Sequence, residues 1–91
     1  MTKKGLLKII ESGKFTMLYF YNPECGHCKQ LTPKIKLFES VKANNLHPIN
    51  TFKNEEISEM FKVDWVPVLM ILKENKGYRY DGLDEIKKIL S

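Results

Sequence analysis

The feature that most constrains the fold is the run Phe15-Thr16-Met17-Leu18-Tyr19-Phe20-Tyr21, apolar and aromatic almost throughout. A strand with one face in water alternates apolar and polar residues. A strand without alternation is covered on both faces, as in the middle of a parallel sheet. Asn22-Pro23 ends the run. Just beyond it, Cys28, Leu31, Ile35 and Phe38 stand at i, i+3, i+7 and i+10, the apolar stripe of a helix over about residues 25–43. Pro33 should kink that helix and Asn44-Asn45 closes it. A buried strand feeding a helix through a short turn is half of a βαβ unit, so the next strand is expected beside the first and parallel to it.

The remaining segments fill in an α/β sandwich. Leu6, Leu7, Ile9 and Ile10 recur at helical spacing over about residues 3–12, and Gly13 stops them. Leu46 to Phe52 reads as the second strand. Asn54 followed by Glu55-Glu56 predicts a capped helix over Ile57, Met60 and Phe61. Val66 to Lys73 is the strongest strand after the first. Asn75-Lys76-Gly77 predicts a hairpin turn into Tyr78-Arg79-Tyr80, Gly82 breaks that strand, and Leu83 to Leu90 is a last amphipathic helix. The order α-β-α-β-α-β-β-α gives a compact, mixed sheet of about four strands flanked by helices, with chemistry expected at the carboxyl end of the first strand. Ninety-one residues, 43% of them hydrophobic, support one domain over residues 1–91.

Composition removes several classes of function. The net charge of +4 is carried almost wholly by lysine, with Arg79 the only arginine, and acidic residues are interleaved throughout. Nucleic-acid readers favour arginine, so no nucleic-acid partner is expected. The first segment is broken by Lys8 and Glu11, unlike a signal peptide, and the run Val66 to Leu72 is too short for a bilayer. No membrane partner and a cytoplasmic location are therefore expected, and the chain is expected to be a monomer.

The only cysteines, Cys25 and Cys28, lie three residues apart at the head of the long helix. A bridge across so short a loop adds little stability, which makes the pair a poor staple. A helix N-terminus favours negative charge on a thiol, so Cys25 is placed as an exposed nucleophile and Cys28, nearly one turn on and inward, as its resolving partner. Gly26 keeps the approach open, and His27, when protonated, can stabilise the Cys25 thiolate. Other readings of the pair are a metal site, a cluster shared between chains, or two inert buried thiols. A zinc site needs about four ligands, and here only His27 and His47 could join the cysteines, with His27 badly placed between them. No metal or bound cofactor is expected.

The run Phe20-Tyr21-Asn22-Pro23-Glu24-Cys25-Gly26-His27-Cys28-Lys29-Gln30-Leu31-Thr32-Pro33 resembles the active-site segment of the thioredoxin superfamily, and Cys-Gly-His-Cys most resembles the catalytic domains of protein disulfide isomerases. The size is closer to glutaredoxins, since the opening strand of a full-length thioredoxin is lacking. The resemblance implies thiol–disulfide exchange on disulfide-containing or dithiol proteins, with a recycling reductase or glutathione as co-substrate. It also implies a cis bond at Val66-Pro67, pairing of the Val66 backbone with an extended substrate, and a substrate-facing role for Gly82. A proline within an apolar strand is unusual in itself, because it cannot donate to the ladder.

The sequence departs from the family pattern in places. Glu24 stands where the family usually has tryptophan. Tyr19 takes the position of a buried carboxylate that shuttles protons, and a phenol is a poor base at neutral pH. Pro48 replaces an expected lysine. Trp65 precedes Val66-Pro67 where isomerases usually carry a small residue; it reads either as a substituted aromatic wall for substrate or as a packing tryptophan. Val66-Pro67 with Asp81-Gly82-Leu83-Asp84 loosely resembles glutathione-binding segments of glutaredoxins, although Asn22 and Asp81 do not fit that pattern. A glutathione-dependent reductase and a redox-inert binding module are the rival functions.

Overall fold

The computed structural model describes residues 2–41, 46–74 and 76–90, with the backbone alone at 39–41. The elements are α1 (Lys3–Glu11), β1 (Thr16–Tyr21), α2 (Gly26–Val41), β2 (Leu46–Asn50), α3 (Glu55–Met60), β3 (Val68–Lys73), β4 (Lys76–Asp81) and α4 (Leu83–Leu90). The expected closure of α2 at Asn44-Asn45, and Asn75 of the expected hairpin turn, lie outside the described residues.

Sheet order is β2-β1-β3-β4. β1 runs parallel to β2, with Met17 opposite Leu46, and antiparallel to β3, with Phe20 opposite Val68. β1 is thus interior to the sheet, and its two faces feed two cores. Met17 and Tyr19 pack with Leu31 and Ile35 of α2 and Ile86 of α4. Leu18 and Phe20 point the other way, against Leu6 of α1 and Ile57 of α3. The alternation of side chains along one strand serves both helical layers, which is why its sequence shows no polar face. β4 is one edge of the sheet, with β2 the other; it is exposed from Lys76 to Arg79, and its charges suit an unpaired edge.

Three expectations are corrected in detail. The second strand stops at Asn50 rather than Phe52, because Asn50 Oδ1 accepts from the amides of Phe52 and Lys53 at 2.9 and 3.3 Å and turns the chain. Asn54 precedes α3 but does not cap it with its side chain: its Nδ2 donates instead to the Asn50 carbonyl at 2.9 Å. Pro67 lies just ahead of β3 rather than inside a strand from Val66, so the ladder loses no donor to it. Among the described residues no helix is long and apolar enough to cross a membrane.

Candidate active site

The loop between β1 and α2 is a turn written by Asn22-Pro23. The Asn22 carbonyl accepts from the Cys25 amide at 3.0 Å, and Asn22 Oδ1 accepts from the Glu24 amide at 2.8 Å. Proline after asparagine suits such a turn, since its φ is already set and the Asx side chain closes the same bend. Cys25 emerges from it as the residue capping α2. Its carbonyl accepts from Lys29 at 3.0 Å, and its Sγ takes the place of a capping oxygen, 3.2 Å from the Cys28 amide nitrogen. A sulfur at a helix N-terminus with a backbone N–H aimed at it is held where negative charge is favoured.

Cys25 is half-buried and Cys28 is buried at 3% exposure; both are free thiols. Burial, followed by the hydrogen bond with Cys25, pushes the Cys28 thiol up to about 11, against an opposing contribution from the Asn22 backbone. Tyr19 lies beside Cys28, its ring stacked on Tyr21 at 5.8 Å. The Tyr19 hydroxyl is buried and makes no hydrogen bond of ordinary geometry. Burial first and then the neighbouring Cys28 push this phenol well above its usual range. A cavity of about 220 Å³ is lined by Tyr19, Tyr21, Thr32, Ile35, Lys36 and Pro48. Lys36 of α2 lines the same cavity as Tyr19, and the β2 position where the resemblance implies a lysine is Pro48.

Against Cys25 stands the segment before β3. The Val66–Pro67 bond is cis, and the Val66 carbonyl oxygen lies 3.8 Å from Cys25 Sγ. Gly82, at φ +89°, donates its amide to the Pro67 carbonyl at 3.0 Å. Its left-handed backbone is the reason for glycine there, since a Cβ would meet open space. Cys25, Cys28, Val66, Pro67 and Gly82 thus meet at one end of the sheet. Gly26 and His27 are exposed on the first turn of α2, and among the described residues no hydrogen bond or ion pair ties His27 to Cys25. The same holds for metals: no cluster of three or more His, Cys, Asp or Glu residues could hold an ion among them.

Trp65 is 59% exposed, so it is not a packing tryptophan. The Arg79 guanidinium lies over its ring, 6.0 Å from the centroid. Sequence reasoning gave Arg79 no role. Its spacing from Asp81, two residues on along the same face of a strand, was the available signal.

An interior βα unit with a sheltered dithiol at its turn and a cis-proline opposite defines a thioredoxin-fold dithiol protein. The chain matches the thioredoxin family over residues 2–91 and belongs to it. Among curated proteins it is similar to protein disulfide-isomerase A4 of Bos taurus, 29% identical over 87 residues, covering 90% of this chain and 14% of that protein. The Mus musculus protein of the same name is 37% identical over 71 residues, 72% of this chain and 11% of the relative. The chain therefore spans a small part of the length of these relatives. Among solved structures, Fasciola hepatica thioredoxin superposes with a TM-score of 0.80 at 23% identity, covering 94% of this chain and 86% of that one. That likeness concerns the fold alone; family membership and the isomerase relatives support thiol–disulfide oxidoreductase chemistry in general.

Proposed function

We propose that the chain exchanges disulfides with protein substrates through Cys25 and Cys28. The observation that carries this reading is the Cys25 sulfur at the head of α2, facing the Cys28 amide on one side and the Val66 carbonyl on the other. As an anion, Cys25 attacks one sulfur of a substrate disulfide. The substrate S–S bond breaks, its electron pair leaves on the far sulfur, and that sulfur takes a proton. Cys28 then gives its proton to solvent and attacks Cys25, expelling the second substrate sulfur as a thiolate. Two electrons have passed to the substrate, and a Cys25–Cys28 disulfide remains for an external dithiol to reduce. His27 contributes positive charge beside Cys25 when protonated. The Val66 backbone beside cis-Pro67 aligns the substrate chain, Gly82 holds Pro67, and Gly26 leaves Cys25 approachable.

Insulin reduction by dithiothreitol tests the reading. The wild type should accelerate the turbidity of precipitating B chain, and Cys25→Ser should not; equal rates would leave only a redox-inert binding module. Glutathione as electron donor, the glutaredoxin-like form of the reading, predicts turnover of hydroxyethyl disulfide coupled to glutathione oxidation. A cytoplasmic site of action is part of this proposal and is tested by fractionation of cells expressing the full protein. The reduction potential decides the direction of exchange: about −270 mV fits a reductase and about −180 mV an oxidant.

A further inference from the structure

Trp65 is exposed, yet the groups around it hold its backing in place. Arg79 Nε donates to Asp81 Oδ1 at 2.7 Å. Its Nη1 donates to the carbonyls of Phe61 and Lys62 at 3.3 and 3.1 Å. Those carbonyls are free to accept because α3 ends there, in a turn where Lys62 adopts φ +54°. The guanidinium is thereby fixed over one face of the indole, and the rest of the ring stands in solvent. A large apolar side chain in solvent, made rigid by a residue that three acceptors hold, is a platform.

What covers it follows from where it stands. A substrate joined to Cys25 by a disulfide has its own cysteine Cα within about 4.4–6.8 Å of the Cys25 Cα. Each flanking residue begins about 3.8 Å further along that chain. The Val66 carbonyl is 3.8 Å from Cys25 Sγ, and Trp65 is the residue before it. The residue next to a bonded substrate cysteine is therefore within one residue's reach of the segment that carries the exposed indole. Arg79 also bears on what that residue should be. A cation on one face draws π-electron density toward itself, so the opposite face is a poorer host for a second cation and keeps its capacity for apolar packing.

We propose that Trp65, positioned by Arg79 and Asp81, is a specificity subsite for the residue flanking the reactive cysteine of a polypeptide substrate, and that it selects an uncharged aromatic side chain there. The inference rests on the disulfide-exchange reading above. Three peptide disulfides test it, with Phe, Ala or Lys on both sides of the cysteine. The wild type should reduce the Phe peptide with a kcat/KM about fivefold above the Ala peptide, the scale of one aromatic pair, and should not favour the Lys peptide. In Trp65→Ala the Phe/Ala ratio should fall to about one, and Trp65→Phe should retain part of it. Arg79→Met should lower the ratio, and Arg79→Lys should not restore it, since an ammonium cannot make the same three bonds in one plane.

A second readout is independent of rates. Trp65 is the only tryptophan, so its emission should shift to the blue when the Phe peptide is trapped on Cys25 in the Cys28→Ala variant, and not with the Ala peptide. Its anisotropy should drop in Arg79→Met. Equal turnover of Phe and Ala peptides by the wild type, a preference that survives in Trp65→Ala, or a preference for the Lys peptide would overturn the subsite alone. Failure of the wild type to reduce any of the three would instead overturn the exchange reading on which it stands.

Discussion

At the scale of single residues, the site is asymmetric in a way that bears on its rate. Cys25 is half-buried and receives a backbone donor, whereas Cys28 is sealed beneath it with its thiol raised to about 11. The main cause is burial, which persists once Cys25 carries a substrate; the hydrogen bond with Cys25 does not. None of the groups acting on Cys28 is a carboxylate, and the phenol beside it is itself raised, so Tyr19 cannot take the proton. At pH 7 a thiol titrating near 11 is ionised in about one molecule in 10⁴, against a few per cent for an ordinary one. In the proposed exchange, attack by Cys28 should therefore limit turnover. Release of substrate from the mixed disulfide should quicken about tenfold per pH unit from 7 to 10, as followed by stopped-flow quench and mass spectrometry. Tyr19→Phe should leave that slope in place. A pH-independent release rate would mean that another group removes the proton.

At the scale of elements, the turn after α3 shows how a local ending serves a distant side chain. The Val63 amide donates to the Ser58 carbonyl at 2.9 Å and the Lys62 amide to Glu59 at 3.0 Å, the paired bonds of a helix closed by a left-handed residue. Glycine is the usual choice at that position, and Lys62 occupies it at φ +54°. A non-glycine residue in that conformation costs roughly 1–2 kcal/mol, part of which glycine gives back in chain entropy. Lys62→Gly should accordingly stabilise the protein by about 0.5–1 kcal/mol, read as a higher urea midpoint at unchanged slope. The carbonyls that hold Arg79 should stay in place, so the Trp65 anisotropy should not change. A lower midpoint would show that the lysine side chain contributes more than its backbone costs.

Elements of this kind also mark where the sequence was legible. β1, α2 and their turn could be read outright, because burial on both faces and a helical stripe are properties of the local pattern, and the dithiol sits within them. The cis bond at Val66-Pro67 was legible only through the resemblance; the bare residues suggested a proline inside a strand. Asn54 misled because an asparagine before two glutamates has two uses for its side chain, and a partner four residues back took it. The Trp65–Arg79 pair joins the segment before β3 to the edge strand and the end of α3. No periodicity in the chain encodes that the Phe61 and Lys62 carbonyls point at a side chain 17 or 18 residues on.

For the molecule as a whole, a buried thiol links redox state to stability. The two cores meet across β1, and Cys28 at the head of α2 belongs to the buried set that joins helix to sheet. In the reduced protein Cys28 titrates near 11 when folded, against about 9 for a free thiol. Below pH 9 the thiol is protonated in both folded and unfolded chains, and its neutral burial is fully retained. Between 9 and 11 the unfolded chain has lost this proton while the folded one keeps it. The unfolded state then binds fewer protons, and stability falls as pH rises. Above 11 the loss is complete. Tyr19, also raised, adds a loss of the same sign beginning near its ordinary value of 10, so the comparison has to isolate the thiol. Urea unfolding of the reduced wild type should show a steeper decline between pH 9 and 11 than Cys28→Ala or the oxidised protein, both of which lack that proton. The part of the phenol's share that burial causes should remain in all three, whereas the part due to Cys28 is lost together with the thiol proton. Parallel curves would place the Cys28 thiol in a far more solvated setting than its 3% exposure describes. Because the oxidised form escapes this loss, mild alkali should favour a closed disulfide over a reduced chain, and the fold itself would then bias which redox state survives.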